Sequence, residues 1–380
     1  MTNPTDLPFD TDAMLAGLRG WVECESPTWD AAAVNRMLDL ATRDLSELGA
    51  RVERIPGARD PSGVMMGDML RARLPHPRMG EPGILIMGHF DTVHPVGTIA
   101  VNPFRREGDK CYGPGVCDMK GGNYIALEAL RQLARAGIAT NLPVTILFTP
   151  DEEIGSPTSR ALIEAEAARA KVVLVPEPGL QGGGVTSGRY AIARYNLKTT
   201  GKPSHAGARL SQGRSAIREM AKRVLQIEEM TTEACTFSVG VFHGGTWVNC
   251  VSSEARAEAL SMSKRQEDLD QGVAAMLALS DAETGFEVSR GLTRPVWEPS
   301  EATLKLAAMV EELHREVGIG FTHKSQGGGS DGNFTGAMGI PTIDGLGVEG
   351  DMIHTLQEHM DVPSFLARAR VMAGLLARLE

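Results

Sequence analysis

The sequence predicts an α/β fold: a mostly parallel sheet covered by helices, interrupted by an inserted α+β (ferredoxin-like) domain. Three observations point there. Short apolar runs alternate with stretches of helical periodicity through the first half of the chain, as parallel strands joined by helical crossovers require. Near Gly188 the pattern changes to strand, helix, strand, strand, helix, strand within about a hundred residues, and then reverts. At 380 residues the chain exceeds one ordinary core, so two domains are expected.

Each element has its own signal. From Ala31 to Leu48, the residues Val34, Met37, Leu38, Ala41, Leu45 and Leu48 recur at helical spacing, and Gly49 follows as a stop. GILIMG (83–88) reads as a buried strand, and Gly121 to Ala136 as a helix carrying Ile125, Leu127, Leu130 and Leu133. VTILFT (144–149) is a strand, Thr158 to Ala168 a helix, and VVLV (172–175) a strand. YAIARYNLKTTG then alternates apolar and polar residues, which suits a half-buried strand. A helix from Ser215 to Met230, the strands TFSVGVF and ARAEALSMS, a helix from Glu267 to Ala278 and FEVSRGL complete the block. The chain returns to helix (Glu301 to Val317), strand (PTIDGL) and a terminal helix (Pro363 to Leu379). Residues 1–186 and 297–380 are therefore assigned to the larger domain and 187–296 to the insert.

Composition narrows the function classes. Hydrophobic residues make up 42% and charged residues 23%, as in a globular chain, and the formal charge of −10 argues against nucleic acid or an anionic membrane as partner. An acidic substrate stays open, because bound divalent cations invert the local field. The five cysteines are scattered without a CxxC pair, so neither a thiolate zinc site nor a disulfide framework is expected. The acidic, turn-rich start MTNPTDLPFDTDAM lacks the basic and apolar regions of a signal peptide, and no apolar run reaches the length of a membrane span. A cytoplasmic protein is expected.

The chemistry sits at the ends of apolar runs. His89 in GHFDTVH follows GILIMG, Glu152 and Glu153 in PDEEIGS follow VTILFT, and Glu177 in LVPEPG follows VVLV. Ligands of open α/β sheets gather beyond the carboxyl ends of the strands, so residues distant in sequence can converge there. With Asp118 in GPGVCDMKGG and His354 in DMIHT they supply the mixed nitrogen and oxygen donors that two divalent ions need if one carboxylate bridges them. Asp91, two residues from His89, can hold the second nitrogen of its ring. Glu152 is placed to act as a base. Taken singly, each motif has a bland reading: Asp118 caps a helix, and the glutamate pair is a solvated acidic run. Together they predict metal-assisted hydrolysis. His94 is assigned a supporting role.

The chain resembles the dinuclear zinc metallopeptidase family that includes glutamate carboxypeptidase, aminoacylase and succinyl-diaminopimelate desuccinylase. The motifs GHFDTVH, GPGVCDMKGG, PDEEIGS, LVPEPG, GKPSHAG, GGTWVN, TRP, GGGSDG and IHT follow in matching order along nearly the whole chain. The resemblance implies that His89, Asp118 and Glu177 bind one ion and Asp118, Glu153 and His354 a second, zinc or manganese, with Glu152 as general base. It implies that residues 187–296 form a lid and dimerisation domain of a homodimer. His205 in GKPSHAG would reach across the interface to stabilise the oxyanion, and Asn249 in GGTWVN would stand near a small-molecule substrate. Arg294 in TRP is a candidate partner for a substrate carboxylate.

One position departs from the family. Thirteen residues beyond Asn249, where many members carry a carboxylate-binding arginine, this chain has Met262. A thioether favours apolar or aromatic contact. The expected substrate is an N-acyl amino acid or dipeptide-like amide. The alternative is an aminohydrolase that releases ammonia from an electron-poor aromatic amine, as its relative nitroanthranilate aminohydrolase does. A third reading, a binding protein without activity, would be marked by loss of Glu152 or of a ligand, and neither is seen.

Overall fold

The computed structural model describes residues 2–380. In the larger unit a six-stranded sheet runs in the order Arg51–Ile55, Met69–Arg73, Val144–Thr149, Gly83–His89, Ala170–Leu174, Thr342–Ile343. The last four strands are parallel, and the first two join antiparallel at one edge. Gly83–His89 is buried along its whole length because both faces of the sheet are covered. Ile84 and Ile86 pack into one cluster with Ile146, Phe148 and Leu174, whereas Leu85 and Met87 pack into another with Leu147, Val173 and Ile163. That is the period of two of a strand serving two cores.

Local signals set the helices. Ala31–Glu47 starts where Asp30 accepts the Ala33 N–H at 2.9 Å, buries Val34, Met37, Leu38, Ala41 and Leu45, and gives way at Gly49, whose φ is +74°. The sequence predicts a turn-rich chain start, yet Thr11–Glu23 is a helix. Asp10 caps it through the N–H groups of Asp12 and Ala13, and Met14, Leu15, Leu18, Trp21 and Val22 form its buried stripe. The edge strand Arg51–Ile55 and its neighbour Met69–Arg73 also differ from the sequence expectation. They are partly exposed and arginine-rich, so they lack the apolar run that marks a buried strand.

The second unit comprises Arg189–Trp297 with the loop Gly327–Gly329, and the remaining residues form the larger unit. Its four antiparallel strands are ordered Cys235–Gly244, Glu254–Ser263, Ala191–Thr200, Phe286–Arg294, with Ala216–Glu228 and Gln266–Leu277 as helices. This is the ferredoxin-like order expected. Ala255, Ala257 and Ala259 face a core that includes Met220, Ile227, Leu269 and Met276 from the helices. Sequence pattern alone left the 327–329 loop with the larger domain. It groups here because a Cβ on Gly329 would meet Arg294 Cδ at 2.5 Å and one on Gly327 would meet Tyr190 Cδ2 at 3.5 Å. No helix among the described residues is long and apolar enough to cross a membrane.

Candidate metal centre

His89 closes its strand, Glu152 and Glu153 lie in the turn after Val144–Thr149, and Glu177 follows Ala170–Leu174. These strands are parallel neighbours, so their carboxyl ends lie side by side. Asp118 arrives from the turn ahead of the helix Gly121–Arg135, and His354 from the loop ahead of His359–Asp361. The Asp118–Met119 peptide is cis.

Asp118 stands between two imidazoles. Its Oδ1 is 3.2 Å from His89 Nε2 and its Oδ2 is 3.2 Å from His354 Nε2. On the first side Glu177 Oε1 lies 3.7 Å from His89 Nε2, and on the second Glu153 Oε2 lies 3.2 Å from His354 Nε2. Donor atoms of His89, Glu152 and Glu177 fall within 4.8 Å of one another, as do those of His89, Asp118 and Glu153. All five expected ligands and Glu152 thus converge on one cluster.

The chemistry of the donors fits a cation. His89 Nδ1 is 2.8 Å from the Asp91 carbonyl oxygen and donates to it, so in its neutral form the ring would turn its Nε2 lone pair toward carboxylate oxygens. A lone pair aimed at anions is unfavourable unless a proton or a metal ion lies between them. The charges tell the same story. Burial, then the Asp118 carboxylate, raise Glu153 to about 8 and Glu177 well above the usual carboxylate range. Burial also opposes ionisation of Asp118, but hydrogen bonds from His354 and His89 outweigh it and hold that carboxyl below its ordinary range. His354 is raised to about 10 by its bonds to Asp118 and Glu153. His89, though burial disfavours its charge, is raised well above its usual value by Asp118 and Asp91. Acids crowded this closely are relieved by a divalent ion.

Asp91 does something the sequence did not suggest. The ring of His89 is met chiefly by its carbonyl, with the carboxylate Oδ1 farther away at 3.4 Å from Nδ1. The fully buried carboxylate instead accepts the N–H of Glu152 on Oδ1 and that of Glu153 on Oδ2, each at 3.2 Å, and the Thr28 hydroxyl at 2.8 Å. It therefore fixes the backbone from which the two glutamates diverge.

Within the inserted unit, Thr236, Met262, Ile192 and Arg294 form one cross-strand row. Met262 is half-buried and Arg294 buried, its stem lying against Gly329. His205 and Asn249 are exposed; the two are linked by the Ala206 N–H, which donates to the Asn249 carbonyl at 2.9 Å. His205 Nδ1 accepts the N–H groups of Gly207 and Ala208 at 3.2 and 3.1 Å. Sequence reasoning missed Thr28 and Glu358, both buried and both bonded to site segments. Thr28 carries no usable signal. Glu358 does: it is an acidic residue between two histidines, four residues past His354 and one before His359.

A parallel-rich α/β unit with this donor cluster at its strand ends, and a further glutamate beside the donors, defines the class of metal-dependent hydrolases. Comparison with known proteins narrows that class. The description of peptidase family M20/M25/M40 matches residues 85–378. Carboxypeptidase G2 of Pseudomonas sp. (strain RS-16) is 32% identical over 379 residues, covering 97% of this chain and 89% of its own length. Acetylornithine deacetylase of Pasteurella multocida (strain Pm70) is 28% identical over 307 residues, covering 74% of this chain and 75% of its own. An M20 family metallo-carboxypeptidase from Sulfolobus solfataricus has a TM-score of 0.74 at 16% identity, with 96% of this chain and 98% of that chain covered, a likeness of fold. The chain belongs to peptidase family M20/M25/M40. It is a hydrolase acting on carbon–nitrogen bonds.

Proposed function

We propose that the protein hydrolyses the amide bond of a small carboxylate-bearing substrate, an N-acyl amino acid or dipeptide-like amide, at a two-ion centre. The observation that carries this is the two-sided placement of Asp118, with His89 and Glu177 on its Oδ1 side and His354 and Glu153 on its Oδ2 side. His89, Asp118 and Glu177 would hold one ion and Asp118, Glu153 and His354 the other, zinc or manganese. Bound there, the ions would lower the pKa of water and polarise a carbonyl oxygen. Glu152 accepts the proton of the attacking water and returns it to the departing nitrogen. Asp91 keeps the Glu152 backbone in place for both transfers. The two N–H groups on His205 Nδ1 leave the proton of the neutral ring on Nε2, a donor suited to a developing oxyanion. Arg294 would pair with the substrate carboxylate, and Asn249 and Met262 would line the same substrate.

The inserted unit supports a homodimer in which His205 of one copy serves the other. Its strand Cys235–Gly244 is a sheet edge, and Phe242, Trp247 and Val248 beside it are exposed, Trp247 by 73%. An open edge bordered by apolar side chains favours pairing with a second copy.

A second reading keeps the centre and changes the electrophile to an electron-poor aromatic carbon bearing an amino group. One observation favours it: at the position of the missing arginine, Met262 is neutral and half-buried in a row with Ile192. Turnover assays on the metal-loaded protein separate the two. Release of amino acid from N-acyl amino acids or dipeptides is expected, and ammonia from aminobenzoates with no amide turnover would transfer the assignment to the second reading.

A further inference from the structure

Glu358 is 1% exposed, yet it carries a carboxylate into the interior of the larger unit. Its Oε1 accepts the backbone N–H of Cys117 at 2.9 Å and that of Asp118 at 3.1 Å. Its Oε2 accepts the N–H of Gly115 at 2.9 Å and meets His94 Nε2 at 2.7 Å. A carboxylate offers about four lone-pair positions, and here each faces an N–H donor contributed by a segment other than its own. Lys120, also 1% exposed and bonded through Nζ to the Cys24 carbonyl at 2.9 Å, adds a positive charge that acts on the same carboxylate.

The origin of the donors is what matters. His94 belongs to GHFDTVH, which carries His89. Gly115, Cys117 and Asp118 belong to the turn that presents the bridging carboxylate. Glu358 itself lies four residues after His354, on the segment that delivers the last ligand. One buried anion therefore ties together the three loops that come from outside the central strand ends or extend them. The approach is tight: a Cβ on Gly115, whose φ is +69°, would stand 2.7 Å from Thr92 Cγ2.

We propose that Glu358 is a positioning residue that sets the separation of Asp118 and His354 and thereby the affinity for both ions. This rests on the two-ion reading of the centre. Glu358 touches no ligand donor atom, so it acts through the Asp118 backbone and through the loop it shares with His354. Charge-assisted bonds from backbone N–H groups are the stiffest such tether available in a dry interior. A merely structural carboxylate would behave differently: its loss would lower the melting temperature and leave ion affinity per folded molecule unchanged.

The test is calorimetric titration of metal-stripped wild-type protein and Glu358→Gln with Mn2+ and Zn2+, beside thermal melts of both in chelator. The glutamine keeps the shape but turns an NH2 group toward backbone donors. Binding of both ions is expected to weaken together, by about 10- to 100-fold, because Asp118 is common to both. Binding of both ions to Glu358→Gln within about twofold of wild type, by the same scale, overturns the proposal. A wild-type chain that takes up fewer than two ions instead defeats the reading of the centre, so the two failures are told apart. Should Glu358→Gln not fold, His94→Asn removes one donor and leaves the carboxylate. Weaker uptake of both ions then supports the tether, and unchanged uptake contradicts it.

Discussion

Single residues at this site are read by the groups they face. Glu152 lies with its carboxylate near the His89 and Glu177 donors, while its N–H is held by Asp91. Glu152→Gln is expected to lower kcat about a hundred- to ten-thousand-fold while ion uptake, measured by calorimetry, persists. Asp91→Asn replaces one of the two oxygens that accept the Glu152 and Glu153 N–H groups with an NH2 group, and a fall in kcat of about 10- to 100-fold is expected in steady-state assays. The raised acids and imidazoles predict a pH effect in chelator-treated protein. Glu153 at about 8 and His354 at about 10 bind protons more tightly in the folded than in the unfolded chain. Their contribution to stability is complete below the unfolded values and is lost as pH rises through the folded ones. The melting temperature in chelator should therefore fall between about pH 5 and pH 10, and added Mn2+ or Zn2+ should reverse the loss by replacing protons with cations.

Among the elements, the strands that end at the site were the most legible in the sequence. GILIMG, VTILFT and VVLV are continuous apolar runs because both faces are covered, and a polar residue just past each run stands out. Asp118 was legible for a different reason, the glycines around it. Gly122 lies so close to the Pro176 carbonyl oxygen that an added Cβ would stand 1.8 Å from it. Gly122→Ala should push the Gly121–Arg135 helix from the Glu177 segment, costing about 1–3 kcal/mol in denaturant unfolding and weakening ion uptake. What could not be read were contacts made through the backbone. The Asp91 carbonyl on His89 and the N–H groups gathered by Glu358 depend on loop geometry, which side-chain identity does not encode. The arginine-rich strands Arg51–Ile55 and Met69–Arg73 hid for want of an apolar run. The Thr11–Glu23 helix did carry its cap at Asp10 and its stripe, and only its acidic flank concealed it.

At the scale of the whole molecule, two units hold separate hydrophobic clusters: Leu18, Ile86, Phe148 and Phe365 belong to one, Tyr195, Met220 and Phe286 to the other. Independent cores depart from a single cooperative transition. Scanning calorimetry is expected to resolve two transitions, and added divalent ion should raise the one belonging to the donor-bearing unit, since ligands stabilise the fold that binds them. The change of hydrophobic period near Gly188 coincides with the start of the second unit at Arg189. The most direct test of the account is anomalous diffraction from crystals grown with Zn2+ or Mn2+. It predicts two peaks about 3.5–4 Å apart, with Asp118 between them, His89 and Glu177 on one, Glu153 and His354 on the other. A single peak, or a pair of peaks that Asp118 does not bridge, would contradict it.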